Sequence, residues 1–343
     1  MNTKSSNITI KDIARKFKCS PSTVSRALND YPLINIETRK TIQEYAQKMG
    51  YQRNTLALSL VQKNTKTIGV VIPNITQFHE TAMVEGIQSV LQPLGYLLNI
   101  CVTNESYLLE KEYVERLMAN RVDGLFLSIS QETYSEGHYE HLQKVMNRQV
   151  PLIFIDRQYE DIQTIGVTTN DYVGAFMATE HLIQTGHKRI AHLRGPHGMA
   201  IAEQRFNAYC ACLLKYNLPI EDELIKQVNF TIESAIEPTK ALLNLPTPPD
   251  AIFGVNDQVC FGALQLIREK GLVVPTDIAV IGFDNTPISA YFYPSLSTIA
   301  RQSKPIGETA ANLFLAQMEG TPTLKNIKLS PELIVRKSSS LAN

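Results

Sequence analysis

Five side chains on one short segment have the chemistry to read a patterned polar surface. In Ser20-Pro-Ser-Thr-Val-Ser-Arg-Ala-Leu-Asn29 the helical spacing turns Val24, Ala27 and Leu28 inward and leaves Ser22, Thr23, Ser25, Arg26 and Asn29 on the open face. Short hydroxyls with one planar guanidinium suit the base edges of a major groove. A second set of polar groups lies where apolar runs end: Pro73 to His79, Ser128 to Ser130, Asp156-Arg157, Asn256-Asp257 and Asp284-Asn285. To these, Arg205 in Glu203-Gln-Arg-Phe-Asn-Ala-Tyr209 adds a fork that can grip vicinal hydroxyls or a carboxylate.

The first set needs a small helical domain to hold it. Ile10, Ile13, Ala14 and Phe17 recur at i, i+3, i+4, i+7 and predict a first helix. Lys18 and Cys19 make a turn, Ser20 caps the second helix, and Pro21 takes its first position, where no N–H is missed. Asn35 caps a third helix with Ile42, Tyr45, Ala46 and Met49 inward, and Gly50 ends it. This is a helix-turn-helix. The following Tyr51–Leu60 has helical spacing but is too short to be stable without a partner surface. Residues 1–66 hold 12 Lys+Arg against 4 acids in a chain with 33 of each, so a basic head precedes an acidic body. That asymmetry points to phosphate contacts and a steep salt dependence.

The second set needs strands. From residue 67 the pattern alternates: strands at Thr67–Pro73, Leu97–Val102, Gly124–Ile129 and Pro151–Asp156, with helices over roughly Glu80–Leu94 and Leu108–Asn120. It restarts at Ile165–Thr169, with helices over Asp171–Thr185, Ala200–Tyr216, Glu233–Leu245 and Pro305–Met318. Strands fall at Arg189–Leu193, Ala251–Val255, Ile278–Phe283 and near Leu333–Arg336. Apolar strands alternating with helices imply parallel sheets covered on both faces, here two doubly wound lobes with a cleft beyond the strand ends. The fold class is therefore α/β, with an N-terminal three-helix domain.

Other classes find little support. No run of about 18 apolar residues suggests a membrane span, and the N-terminal residues lack an apolar leader core. The scattered Cys19, Cys101, Cys210, Cys212 and Cys260 read as reduced thiols in a cytoplasmic protein. There is no glycine-rich dinucleotide loop, Walker lysine loop, nucleophile elbow or metal-spaced His/Cys set, so neither enzyme activity nor a cofactor or metal is expected. His187, between a helix end and a strand, reads as structural.

The motifs Ile10-x-Asp-Ile-Ala, Ser20-x-x-Thr-Val-Ser-Arg-x-Leu-Asn29, Glu37-Thr-Arg39, Gly50-Tyr51 and Asn54-x-Leu-Ala57-x-x-Leu60 stand in fixed order. On them the chain resembles the LacI/GalR family of bacterial transcription regulators over almost its whole length. The resemblance implies a periplasmic-binding-protein-like core whose chain crosses between lobes three times. It divides the chain into residues 1–52 (helix-turn-helix), 53–66 (hinge helix and linker) and 67–343 (core). Within the core it gives one lobe near 67–164 and 299–325 and the other near 165–298 and 326–343. It adds Thr9, Ser20, Pro21, Tyr51, Asn54, Ala57 and Leu60 to the DNA contacts, Leu60 as a wedge into the minor groove. It assigns effector binding to Phe78, Ser128, Ser130, Asp156, Arg205, Phe230, Asn256 and Asp284. The implied partners are a palindromic operator, a sugar or sugar-derived effector and a second copy of the chain; the sequence end carries no leucine heptads for a tetramer. A transport-type sugar-binding protein is the alternative. Four positions stand out against the family: Arg53 replaces a proline, Pro21 and Ser22 offer no bidentate base contact, and Arg301 stands at a glutamine position. With Arg205, Arg301 suits an anionic effector unless it turns to solvent.

Overall fold

The computed structural model describes residues 8–51, 64–159, 162, 164–321 and 326–340. The chain divides into two compact units, residues 1–65 and 66–343. In the first, α1 (Ile10–Lys16), α2 (Pro21–Leu28) and α3 (Ile36–Lys48) enclose Ile13, Ala14, Val24, Ala27, Ile42 and Ala46. Thr9 and Asp12 form a capping box on α1, and the Ser20 hydroxyl accepts from Thr23 N at 3.1 Å. Lys18 takes φ +49°, which bends the chain between α1 and α2. Met49, expected on the inner face, is the exposed C-cap of α3.

The second unit contains two six-stranded sheets. The first runs β11-β5-β4-β3-β1-β2 and the second β12-β10-β9-β8-β6-β7. The strands are β1 (Thr67–Ile72), β2 (Leu97–Val102), β3 (Gly124–Leu127), β4 (Leu152–Ile155), β5 (Ile165–Thr169) and β6 (Ile190–Arg194). They continue with β7 (Ile225–Gln227), β8 (Ala251–Gly254), β9 (Ala279–Phe283), β10 (Ser297–Ala300), β11 (Asn326–Leu329) and β12 (Glu332–Ile334). Every pairing is parallel except β10 with β12. The chain passes between sheets three times: after Thr169, after Ala300 and after Leu329. The expected lobe limits need correction here. β5 pairs with β4 (Ile153 opposite Ile165) and with β11 (Gly166 opposite Asn326), so residues 165–169 and 326–329 complete the first sheet instead of joining the second.

Helices cover both sheets. In the first lobe α4 (Phe78–Leu91), α5 (Tyr107–Ala119), α6 (Gln131–Glu136) and α7 (Glu140–Asn147) precede α8 (Asp171–Gln184), α9 (Ala200–Lys215), α10 (Ile236–Leu243) and α11 (Asp257–Glu269) of the second. α12 (Ser303–Met318) returns to the first sheet and buries Ile306, Ala310, Ala311 and Phe314 with Met83 and Ile87 of α4. The two helices cross at Gly86 and Gly307. A Cβ at Gly86 would stand 2.2 Å from the Lys304 carbonyl oxygen, and one at Gly307 would stand 2.0 Å from that of Met83. Only glycine allows so close an approach.

Candidate functional site

In the helix-turn-helix unit, Ser22, Arg26 and Asn29 are exposed on α2 and its C-cap, and Thr23 and Ser25 are partly so. Pro21 opens the helix; Thr9 and Ser20 are exposed caps, and Tyr51 is half-buried. The Ser20 hydroxyl lies 2.6 Å from that of Ser22 and 2.9 Å from that of Thr23, a local network at the helix start. The Arg26 guanidinium lies over the Tyr31 ring, 5.5 Å from its centroid, a cation–π contact on an otherwise exposed side chain. Arg53, Asn54, Ala57 and Leu60 lie outside the described residues.

In the core, the C-terminal ends of β1, β4, β8 and β9 and the start of α9 face one cavity. Arg205, Phe230, Asn256 and Asp284 line it, together with Arg301 and Arg157. Arg205 is 1% exposed. It donates from Nε and Nη2 to Asp171 Oδ1 at 2.8 and 2.6 Å, and from Nη1 to the Val255 carbonyl. Its guanidinium sits 3.7 Å from the Phe283 ring centroid. Arg301, on the second crossing, turns inward and not to solvent: it is 8% exposed and ion-paired with Asp156. Asp284 Oδ1 stands between the two arginines, 3.9 Å from Arg205 Nη2 and 3.5 Å from Arg301 Nη1. It has no hydrogen-bond partner among the described residues. Asn256 caps α11 by accepting from Val259 N at 3.0 Å and donates to the Phe230 carbonyl at 3.2 Å, which holds that ring's backbone at the cavity edge.

Burial dominates the electrostatics. It pushes the Asp284 carboxyl up to about 8, against the opposing pull of Arg205, and Glu80 up to about 7. His79 is held well below its ordinary range by burial and by Arg301, Arg157 and Arg205, so its ring is neutral. Arg157 answers Glu105 with Nη1 at 3.0 and 2.8 Å from the two carboxylate oxygens. The cavity thus offers arginine donors beside carboxyl groups, an alternation that matches a polyhydroxylated ligand. Buried atoms of both kinds, Glu80 Oε2 and Arg157 Nε, have no hydrogen-bond partner among the described residues. His79, Glu80 and Asp156 bring one donor atom each within 4.8 Å of one another. Arg301 already holds Asp156, and three arginines around the cluster disfavour a cation.

Four expected positions fall elsewhere. Phe78 is the exposed first residue of α4, and His79, one step and about 100° further round the helix, faces the cavity instead. Ser130 is buried; its hydroxyl and its N–H both donate to Glu110 Oε2 at 2.7 Å, in a network with His141. Ser128 is fully buried and does not line the cavity. Asp156 lies behind Arg301 and lines an adjoining cavity. Glu80, Glu105 and Gln131 also line the cavity, and no motif in the sequence pointed to them.

A helix-turn-helix unit and a two-lobed core with a polar interlobe cavity define a ligand-responsive DNA-binding regulator of transcription. Residues 9–54 match the model of bacterial regulatory proteins of the lacI family, and residues 179–339 that of a periplasmic binding protein-like domain. The chain is 34% identical over 333 residues to the probable HTH-type transcriptional repressor ExuR of Bacillus subtilis (strain 168), covering 96% of this chain and 98% of that protein. It is 28% identical over 338 residues to the HTH-type transcriptional repressor PurR of Vibrio campbellii (strain ATCC BAA-1116), covering 98% and 99%. The lac repressor dimer bound to operator and the anti-inducer ONPF superposes with a TM-score of 0.88 at 26% identity, covering 97% of this chain and 99% of that one. The chain belongs to the LacI family of bacterial regulatory proteins. Among the described residues no helix is long and apolar enough to cross a membrane.

Proposed function

We propose that this regulator is a cytoplasmic, non-enzymatic repressor that binds a palindromic operator as a homodimer and changes its affinity when a sugar or sugar derivative enters the interlobe cavity. The observation that carries the effector reading is the array of Arg205, Arg301 and Asp284, brought to one point by α9, the second crossing and β9. Such an array gives a ring of hydroxyls both donors and acceptors. Ser22, Arg26 and Asn29 serve base readout, residues 53–66 form a hinge and linker, and Leu60 acts as the minor-groove wedge. The lac repressor's operator complex supports the dimeric, DNA-bound state. Ligand binding shifts the angle between lobes, with a coupling of about 1–3 kcal/mol.

The test is a thermal-shift screen of the full chain against sugars, sugar acids, sugar phosphates, nucleosides and nucleobases. A specific binder at a hundredfold excess over its dissociation constant stabilises by roughly 2.7 kcal/mol. The expected result is a sugar-class hit that Arg205→Ala removes. A hit confined to nucleosides or nucleobases overturns the sugar reading, and a hit that survives Arg205→Ala removes this residue from the site.

A further inference from the structure

Asp257 stands beside the cavity without lining it. It is the first residue of α11, directly after Asn256, and is fully buried. Its Oδ2 accepts from Thr286 N at 2.8 Å and from the Ser289 hydroxyl at 2.7 Å. Its Oδ1 accepts from the Thr298 hydroxyl at 2.6 Å. Two of these donors lie on the segment that leaves β9 through Asp284, and the third lies on the neighbouring strand β10. The sheet makes room for this carboxylate. Gly282 of β9 lies opposite Thr298, and a Cβ there would stand 2.3 Å from Asp257 Oδ1.

The segment so held is strained. Asp284 takes φ +109° and Asn285 φ +50°, backbone that residues with a Cβ adopt only where their surroundings over-determine it. The supports are on both sides. Asp284 N donates to the Ile299 carbonyl at 2.8 Å. Asn285 N donates to Thr298 Oγ1 at 3.2 Å, so one hydroxyl accepts from the strained turn and donates to Asp257. Arg336, just past β12, donates from Nη2 to Asn285 Oδ1 and from Nη1 to the Leu296 carbonyl, both at 2.7 Å. Asp284 Oδ1 has no hydrogen bond of its own among the described residues, so its place between Arg205 and Arg301 is set by its backbone. We infer, resting on the reading of Asp284 as an effector-facing group, that Asp257 is a positioning residue for effector recognition: through Thr298, and with Arg336 on the opposite side, it fixes the turn that aims the Asp284 carboxyl into the cavity. One buried carboxylate thereby joins the start of α11 to the end of β9, the two places from which Asn256 and Asp284 enter the site.

The experiment follows the Asp284 side-chain carboxyl by NMR against pH in the full chain carrying isotope-labelled aspartate, its resonance assigned by its loss in Asp284→Asn. The charged groups around it are Arg205, Arg301, Arg157, Asp171, Asp257 and Glu80. Asp257 stays in place, because its charge also acts on Asp284. The variants change no charge: Thr298→Val removes the bridging hydroxyl and keeps the shape, and Thr298→Ser keeps the hydroxyl. Asp250, which accepts from Lys188 N and Arg189 N at the other end of the same sheet, is the control. The expected result is an Asp284 midpoint lowered by about one pH unit or more in Thr298→Val, as the released carboxyl gains water. Thr298→Ser should titrate as the wild type, and Asp250 should not move in either. Asn285→Gly, which keeps the positive φ and removes the Arg336 contact, should lower the midpoint too and serves if Thr298→Val does not fold. An Asp284 midpoint unchanged in Thr298→Val and Asn285→Gly overturns the positioning role. So does a shift that Thr298→Ser or Asp250 shares, since that marks general loosening. No ligand enters the measurement, so its failure leaves the sugar reading intact, and the ligand screen tests that reading separately.

Discussion

Asp284 shows how one carboxyl group can tie ligand binding to pH. Its folded value near 8 and that of Glu80 near 7 lie above the values of the unfolded chain, because both are buried. The sign follows from proton counting: between the unfolded and folded values the native state holds the extra proton, so stability is greatest below about pH 4 for these groups and is lost as pH rises toward 8. Each group contributes a slope of at most about 1.4 kcal/mol per pH unit. Urea unfolding at pH 6 to 8.5 should show this decline, and Asp284→Asn should flatten it; an unchanged slope would remove Asp284 as its source. The same groups separate ligand classes. Neutral sugar hydroxyls donate to ionised carboxylates, so their affinity should rise over that range, whereas a ligand carboxylate needs the protonated forms and should bind more weakly; calorimetry in buffers of different ionisation heat reads the proton directly. Arg205→Ala carries a separate cost, since it leaves Asp171 buried without its cation, about 3–5 kcal/mol in denaturant unfolding. Much of this site was legible. Arg205, Asn256, Phe230 and Asp284 sit at strand or helix ends, where chain order alone directs attention. Phe78 lies outside the cavity because one residue of helix phase turns its side chain away, and Ser130 because Glu110, twenty residues away in sequence, holds it.

Helices and strands carry two further expectations. Gly307→Ala should destabilise the core by about 1–3 kcal/mol, since α4 and α12 must separate to admit a methyl group at the Met83 carbonyl; chemical denaturation with unchanged secondary structure by circular dichroism checks it. Ser20→Ala should cost about 1 kcal/mol in the helix-turn-helix unit, because Thr23 N loses its acceptor. An amide-exchange comparison of α2 would register that loss locally, and equal protection in both proteins would contradict it. Sequence located most elements through their apolar periodicity. It missed α6 and α7, which are short, and the four-residue strands β10 and β11, the latter an Asn-Ile-Lys-Leu with alternate exposure. The lobe of β5 was misjudged for a different reason. A strand's composition announces that it is buried in a parallel sheet, but its membership is decided by neighbours, here β4 and the distant β11, that no local pattern names.

At the scale of the molecule, the basic N-terminal region should dominate the energetics of operator binding. With several phosphates neutralised per dimer, affinity is expected to fall by about 10³–10⁵ between 50 and 200 mM salt; fluorescence anisotropy on an operator fragment measures the slope, and a shallow one would mean few phosphate contacts. The three crossings have a consequence for how the protein is made. β5 ends at Thr169, yet the helix that covers its sheet starts at Ser303 and the strand that closes its edge at Asn326. At ordinary ribosome speeds roughly 7–31 s pass between the emergence of those pieces. Throughout that interval Met83, Ile87 and Phe126 lack Phe314 and its neighbours. The nascent chain therefore carries an open apolar seam that only its last forty residues can seal, so a message truncated before them yields a product suited to chaperone capture and proteolysis, and the cell receives either a whole regulator or none.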